Sequence, residues 1–268
     1  MDRPAMLARF DRERRQDPPT LGTYRVERTA DVTRLVVGSK SFVLWSRIPP
    51  GDLAAVVDRE KSWASSHGRM LVWKLYSHDA PEPLSEALAA AGLHSKPHET
   101  LMLFDLAGDL PAGPKAPELH VEPVLDDPRF RDYLSIDRGA FGGGPPASNA
   151  PAPVRPTDPR VGLFIAYMDR TPASIGRVEF EPGQELAGLF GGGTSPEFRR
   201  RGIYRELVRA RVAWARERGA QAMFTEAVDT TSRPILERLG FEPVSGIESW
   251  TWEFKGHRVT NAQAEAPS

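Results

Sequence analysis

Lys and Arg together number 35 and Asp and Glu number 36 in a chain of 268 residues that contains no cysteine. This charge balance gives no general attraction for nucleic acid or for an anionic membrane, and the lack of cysteine excludes disulfides, thiolate metal sites and a cysteine nucleophile. The charged N-terminus lacks a secretory apolar segment, and no apolar run approaches the ~18 residues of a membrane span. We therefore predict a cytoplasmic protein.

The first half of the chain contains a weaker copy of a pattern found near the C-terminus. Residues 49–106 align with residues 200–254 as helix, strand, helix and strand. Trp63 and Trp214 each stand five residues before a glycine in the aligned segments. We interpret the series of matches as an internal duplication, with coincidental similarity of two α/β segments as the alternative.

Proline-rich segments mark the predicted domain boundaries. The segment "AGDLPAGPKAP" (107–117) lacks apolar periodicity and predicts a linker. The segment "GGGPPASNAPAPVRPTDP" (142–159) is longer than an ordinary connection, and both a substrate-side loop and a disordered insertion stay open. The polar tail after Lys255 predicts disorder. We therefore expect four segments, which are residues 1–106, 107–117, 118–255 and 256–268.

The second half predicts the order β-β-β-α-β-α-β. In the longer helix, Ile203, Leu207 and Trp214 recur at helical spacing and Gly219 is placed to end it. Ser232 is predicted to cap the shorter helix. The strands are predicted at 161–168, 173–181, 186–194, 221–228 and 247–254, and the shorter helix at 232–240.

Three arginines and one glycine lie where the longer helix begins, in "PEFRRRGIY" (196–204). A helix N-terminus presents free amides, glycine lets a ligand approach the backbone, and arginine binds phosphate through two hydrogen bonds. The aligned segment of the first copy is "PPGDL" (49–53), in which two prolines lack N–H donors and Asp52 places a carboxylate at the helix end. The contrast predicts a phosphate-bearing ligand in the second copy only.

The arginine-rich segment resembles the acetyl-CoA signature of the GNAT-type N-acetyltransferases, which is Arg or Gln, two residues, Gly, one residue, then Gly or Ala. A second similarity is "DTTSRPILERLGF" (229–241), a strand end followed by a helix closing in Gly-Phe, although Asp229 stands where the family often has Asn. The resemblance covers residues 118–254 and implies an α/β (mixed α+β) GNAT acyl-CoA N-acyltransferase fold, with a central mixed sheet flanked by helices. Residues 24–106 resemble a degenerate half of the same fold, as in tandem members.

The resemblance implies where acetyl-CoA would bind as the co-substrate. The loop amides would hold its pyrophosphate, and the preceding strand end would lie against the pantetheine and the thioester, where an amide would stabilise the developing oxyanion. The implied binding residues are Gly192, Gly193, Thr194, Arg199, Arg200, Arg201, Gly202, Ile203 and Tyr204.

Two positions depart from the family pattern. Tyr204 stands where the family has a small residue, and Leu236 stands where many members have a tyrosine that protonates the leaving thiolate. That acid is therefore excluded. Because a free thiol has a pKa of only about 8.5, water or the hydroxyl of Ser232 or Tyr204 is a candidate instead. The candidate general bases are Glu226, Asp229 and Glu179, each with a solvated strand-end carboxylate as the alternative interpretation.

The sequence thus predicts an acetyl-CoA-dependent N-acetyltransferase that transfers an acetyl group to a primary amine of a small molecule or peptide by direct attack on the thioester. A CoA-binding but catalytically silent regulator or scaffold is the alternative. No metal is expected, because Pro97 prevents the helix that would align His94 and His98. The expected partners are acetyl-CoA and an amine, without nucleic acid or membrane, and a homodimer stays open.

Overall fold

The computed structural model describes residues 2–22, 24–79, 83–112, 117–140 and 158–253. Most of the predicted loop at 142–159, part of the predicted linker and the predicted C-terminal tail lie outside the described residues.

The first half begins with a helix that widens into a π-helical turn, Asp11–Gln16, and continues with strands and two helices. Its elements are α1 (Arg3–Phe10), β1 (Arg25–Arg28), β2 (Val32–Val37), β3 (Lys40–Ser46), α2 (Leu53–Ser66), β4 (Met70–Tyr76), α3 (Leu84–Ala90), β5 (His94–Ser95) and β6 (Glu99–Asp105).

The second half contains every element that its sequence predicts, in the predicted order. Two elements precede them that the sequence did not predict, β7 (Leu119–Pro123) and α4 (Asp127–Ala140). The last strand also begins at Glu242, five residues before its predicted start. The remaining elements are β8 (Val161–Met168), β9 (Thr171–Glu179), β10 (Leu186–Thr194), α5 (Ile203–Glu217), β11 (Ala222–Val228), α6 (Arg233–Arg238) and β12 (Glu242–Trp252).

All of these strands join one sheet, in which the two halves exchange their last strands. The order is β1-β2-β3-β4-β12-β6-β11-β10-β9-β8-β7, and β5 pairs with β12. The predicted repeat matches α2, β4, α3 and β6 to α5, β11, α6 and β12. Yet β6 of the first half pairs with β11 of the second, and β12 of the second pairs with β4 of the first. The halves are therefore joined by backbone hydrogen bonds.

The sheet has two covered faces, which we call the α5 face and the α1 face. Alternate residues of β11 point to each of them. Met223 and Ala227 pack with α5 and α6 in the largest core cluster, whereas Ala222 and Phe224 pack with Phe10 of α1. This alternation decides which side of the sheet each side chain near the site can reach.

Candidate functional site

Strands β10 and β11 run parallel and then separate, forming an opening that we call the fork. They pair only from Leu186 with Ala222 to Gly188 with Phe224. One hydrogen bond from Thr225 Oγ1 to the Leu189 carbonyl, 3.1 Å, spans the next step. Beyond it β10 follows β9, with a bulge between Phe190 and Gly193. The separation exposes the strand end that the resemblance places against the pantetheine and the thioester.

The loop between β10 and α5 has the conformation of an anion site. After a short 3-10 turn, Arg200 and Gly202 adopt left-handed backbone conformations, with φ of 64° and 78°, and α5 begins at Ile203. Among the described residues, none accepts a hydrogen bond from the backbone amides of Arg200 to Tyr204. Successive free amides at a helix N-terminus form a concave site of positive potential.

A cleft of about 860 Å³ connects this loop with the fork. All but one of the predicted binding residues line it. The exception is Arg201, whose guanidinium lies 5.6 Å from the centre of the Phe198 ring. The lining residues are Pro111, Ala112, Gly192, Gly193, Thr194, Phe198, Arg199, Arg200, Gly202, Ile203, Tyr204, Arg205, Thr231, Ser232, Ile235, Arg238 and Leu239.

Tyr204 turns its ring toward the core, so it leaves the amides of the loop uncovered. The ring packs against the α5-face cluster and passes under β10, where a Cβ on Gly192 would lie 3.0 Å from it. Burial raises the pKa of Tyr204, and the neighbouring Arg211 lowers it by a smaller amount. The bulky residue at this signature position is therefore compatible with an anion at the helix N-terminus.

Arg211 is a buried cation beside the cleft that the sequence analysis missed. It is 1% exposed, and burial lowers its pKa. Its Nε donates to the Leu207 carbonyl at 3.0 Å and its Nη1 to the Arg177 carbonyl at 3.3 Å, while Nη2 has no partner among the described residues. A Cβ on Gly176 would lie 2.7 Å from the guanidinium carbon, which explains that glycine. The sequence does carry a signal for this buried cation: Arg211 lies four residues after Leu207, one helical turn along the apolar face of α5.

Glu226 lies at the fork on the α1 face, in an ion-pair network. It accepts hydrogen bonds from Lys74 Nζ at 2.8 Å and from the Tyr76 hydroxyl at 2.5 Å. Lys74 also donates to Glu99 at 2.8 Å. Burial raises the pKa of Glu226, but Lys74, the hydrogen bond from Tyr76 and the charge of Arg15 together lower it overall. Glu226 is thus held ionised, with 26% of its side chain exposed.

The other two candidate bases have different surroundings. Asp229 accepts a hydrogen bond from Thr100 Oγ1 at 2.6 Å and lies 3.4 Å from Arg233 Nη1. Glu179 is 4% exposed and lies 2.8 Å from Arg177 Nε. None of the three candidate carboxylates is among the residues that line the cleft.

Ser232 does line the cleft, although it does not cap α6 as predicted. Its Oγ accepts a hydrogen bond from the Val228 amide at 2.9 Å instead of bonding to the first turn of α6. This contact uses the acceptor function of the hydroxyl, so its O–H is left to donate into the cleft. Leu236 is fully buried in the core, and Ile235 faces the cleft in its place.

Within the described ranges, no three His, Cys, Asp or Glu side chains are grouped so that they could hold a metal ion. In the same ranges, no helix has the length and apolar character needed to cross a membrane.

The chain is similar to one known protein family and to several solved structures. Residues 130–241 match the model of the acetyltransferase (GNAT) family. The fold is similar to a GCN5-related N-acetyltransferase from Kribbella flavida, with 17% identity and a TM-score of 0.66 over 92% of this chain and 93% of that chain. It is also similar to a tandem GNAT protein from the clavulanic acid biosynthesis pathway, with 16% identity and a TM-score of 0.59 over 87% and 84% of the two chains.

A third similar structure is a GCN5-related N-acetyltransferase from Sphaerobacter thermophilus, with 14% identity and a TM-score of 0.62 over 83% of this chain and 80% of that chain. No curated protein matches the chain by sequence. At these identities the structural likeness shows a shared fold, which confirms the predicted central mixed sheet flanked by helices.

Proposed function

Because the chain carries a domain of the acetyltransferase (GNAT) family at residues 130–241, we propose that it is an acetyl-CoA-dependent N-acetyltransferase acting on a primary amine of a small molecule or peptide. The observation that carries the proposal is the cleft that joins free helix-terminal amides to an open fork between parallel strands. We also propose that residues 118–255 form the catalytic unit and that residues 1–106 are its degenerate copy.

The residues of the cleft fit the chemical parts of acetyl-CoA. The free amides from Arg200 to Tyr204 and the positive end of α5 would hold the pyrophosphate, with Arg199 and Arg200 neutralising its charge. The separated edge of β10 from Gly192 to Thr194 would donate and accept hydrogen bonds along the pantetheine. Two carbonyls of this edge already have partners, because that of Gly193 accepts from Ser174 Oγ at 2.8 Å and that of Thr194 from Arg199 Nε at 3.1 Å.

The chemistry needs little beyond positioning and hydrogen bonding. Bound acetyl-CoA supplies an activated acyl group with a thiolate leaving group. The backbone amides at the fork would stabilise negative charge on the carbonyl oxygen as the amine attacks. The Ser232 hydroxyl, whose O–H is not needed by the protein, would donate to the departing sulfur. Holding the amine and the thioester next to each other provides the rest of the rate acceleration.

Titration calorimetry and thiol release test this proposal on the full chain. We expect acetyl-CoA and CoA to bind with one site per chain, and free thiol to appear only when an amine is added. The panel is polyamines, aminoglycosides, amino acids and peptides with free amino groups. If neither acetyl-CoA nor CoA binds, the proposal is overturned.

A CoA-binding but catalytically silent regulator is the second candidate. Its support is that the three candidate carboxylates lie outside the cleft lining, and that α6 presents Ile235 where an acid would be useful. This form would bind acetyl-CoA and release no thiol with any amine of the panel. Turnover with one amine, confirmed by mass spectrometry of the acetylated product, rules it out.

A further inference from the structure

The bulge in β10 lies at the fork, and its shape needs support that the ladder itself does not give. Between the paired steps on either side of the bulge, β10 contributes two residues, Gly191 and Gly192, and β9 contributes one, Gly176. Gly191 has a φ of 56°, in the left-handed region that favours glycine. An extra residue of this kind interrupts the ladder and changes the direction of the backbone groups beside it. The conformation of the bulge therefore decides where the amides at the fork point.

Arg211 of α5 reaches this bulge with its guanidinium group. A Cβ added to Gly176 would lie 2.7 Å from the guanidinium carbon, so the group packs directly against the single β9 residue opposite the bulge. Nη2 lies 4.0 Å from the position that a Cβ on Gly192 would take. Nη1 donates at 3.3 Å to the carbonyl of Arg177, the last β9 residue paired before the bulge. The guanidinium group thus lies against β9 and next to β10 at the step where their ladder is interrupted.

Ser174 of β9 holds the other end of the same bulge. Its side chain is fully buried, and its Oγ donates at 2.8 Å to the carbonyl of Gly193, the first β10 residue paired after the bulge. The near end is held by Arg211 through the Arg177 carbonyl. Buried backbone groups need hydrogen-bond partners, and two side chains supply them on either side of the interruption. The bulge is therefore fixed at both of its ends.

The charge of Arg211 has no carboxylate to balance it within the described part of the chain. Burial lowers the pKa of Arg211, and the groups that raise it by smaller amounts are the side chains of Tyr204 and Tyr133. The centre of the Tyr204 ring lies 5.9 Å from the guanidinium carbon. Leu207 and Val212, its neighbours on the buried side of α5, are apolar. A buried cation without a counter-ion costs stability that an apolar side chain would not, so the charge beside the bulge points to a function other than packing.

We propose that Arg211 is a positioning residue for acyl transfer, which holds the β10 bulge so that its amides face the thioester carbonyl and which adds a positive charge behind them. The inference rests on the N-acetyltransferase function proposed above. As the amine nitrogen bonds to the carbonyl carbon, negative charge moves onto oxygen, and a cation in surroundings of low polarity stabilises that charge more than it would in water. The charge returns as the C–S bond breaks. The electron pair leaves on sulfur, which receives a proton from the amine nitrogen, and Arg211 keeps its own protons throughout.

Isotope-edited infrared spectroscopy of bound acetyl-CoA tests this role without an acceptor amine. With carbon-13 at the thioester carbonyl, the stretching band should lie at lower frequency on the full chain than in solution, because hydrogen bonds and a nearby cation polarise the C=O bond. Arg211→Met should remove most of this shift. Gly176→Ala should reduce it as well, because the added Cβ displaces the guanidinium group while the charge stays in the protein.

The matched control is Arg216→Met, which removes the same charge from the same helix. The Nε of Arg216 also donates to a backbone carbonyl, that of Leu106, at 2.9 Å, but Arg216 is not among the residues that line the cleft. This variant should keep the wild-type band position and the wild-type kcat.

Steady-state kinetics and thermal unfolding separate positioning from a purely structural role. Arg211→Met should lower kcat by about 10- to 100-fold, while the KM for acetyl-CoA changes by less than about twofold, because the lost support acts on the transition state. Arg211→Lys should recover part of kcat, because it keeps the charge. Arg211→Met should unfold at the wild-type temperature or above it, since an apolar side chain replaces a buried cation without a counter-ion.

The outcomes distinguish this inference from the proposed function. Thiol release with an unshifted wild-type band, or with a shift that Arg211→Met leaves unchanged, overturns the role of Arg211 and leaves the enzyme. A fall in kcat that comes with a lower unfolding temperature also overturns it. A shift that Arg211→Met removes, without thiol release with any amine, overturns the enzyme and supports the action of Arg211 on the carbonyl. No binding of acetyl-CoA overturns both.

Discussion

Each half of the protein contains a pair of parallel strands that separates, and within the described residues the cleft lies at the opening in the second half. In the first half, β3 and β4 pair as far as Val43 with Trp73. Arg15 donates to the Leu44 carbonyl at 2.8 Å, Asp79 accepts from the Tyr76 amide at 2.9 Å, and Arg15 lies 2.6 Å from Asp79. This Arg15–Asp79 pair thus satisfies the groups that strand separation exposes.

In the second half, the only bridging hydrogen bond described here is that of Thr225 with Leu189, and the cleft of about 860 Å³ opens beyond it. A buried backbone group must have a partner from the protein, from water or from a ligand. The comparison teaches that the same strand separation is structural where the chain supplies those partners, and is a candidate ligand site where it does not.

The largest expected effect comes from breaking the Arg15–Asp79 pair. Arg15 is 1% exposed, so Arg15→Met leaves a buried carboxylate without its cation and should lower the free energy of unfolding by about 3–5 kcal/mol. Urea unfolding measures the loss. The control is Arg3→Met, which breaks an exposed pair with Glu242 and should cost less than ~1 kcal/mol. Similar losses in both variants would show that the pair does not close the first opening.

The second effect concerns affinity at the open fork. Arg200 lines the cleft and its neighbour Arg201 does not, so the two substitutions remove the same charge at adjacent positions. Arg200→Ala should weaken CoA binding by roughly 10- to 100-fold, from about 1.5–3 kcal/mol of charge-assisted hydrogen bonding. Arg201→Ala should change it by less than about threefold, as expected for a remote screened charge. Calorimetry at one fixed salt concentration checks both, and equal losses would contradict the assignment.

Local patterns predicted the order of β8 to β12 well, because each of these elements depends on a short segment. The strand at 161–168 has its predicted bounds, and the loop from Arg199 to Tyr204 begins a helix as expected. The helix α4 was missed because its apolar positions are few and it leads into a proline-rich segment.

Long-range pairing could not be predicted in the same way. Alternation within β6 and β12 shows that each is a strand, but it does not encode which neighbour each strand meets. For the same reason Glu226 reads as a strand-end carboxylate in the sequence. Its partners Lys74 and Tyr76 lie 152 and 150 residues away and reach it across β12 and β6.

A smaller change in the free energy of unfolding is expected when each of two glycines is replaced by alanine. The repeat aligns these glycines at the starts of the two helices. Gly202 has a φ of 78°, whereas Gly51 is not among the glycines with positive φ, so the aligned residues differ in backbone conformation. Gly202→Ala should lower the free energy of unfolding by about 1–2 kcal/mol, because a Cβ is disfavoured in the left-handed region. Gly51→Ala should be neutral or stabilising by up to about 1 kcal/mol, since no atom lies within 4 Å of the added Cβ. Thermal unfolding that shifts equally in both would contradict the distinction.

The smallest expected effect is on the pH dependence of the free energy of unfolding, through Asp11, a charged residue beside the Arg15–Asp79 pair. Asp11 accepts from Arg15 at 2.7 Å and lies 3.1 Å from His78 Nε2. Burial raises the pKa of Asp11, but His78 and Arg15 together lower it. A depressed pKa in the folded state gives stability that is complete above the unfolded value of about 3.9 and is lost as pH falls through the folded value. Wild type should therefore exceed Asp11→Asn by less than ~1 kcal/mol near neutral pH. The difference in urea unfolding should begin to shrink below about pH 4 and vanish once the pH lies below the lowered folded pKa of Asp11. A difference that stays constant as the pH falls through this range would show that the charge of Asp11 does not contribute to closing the opening.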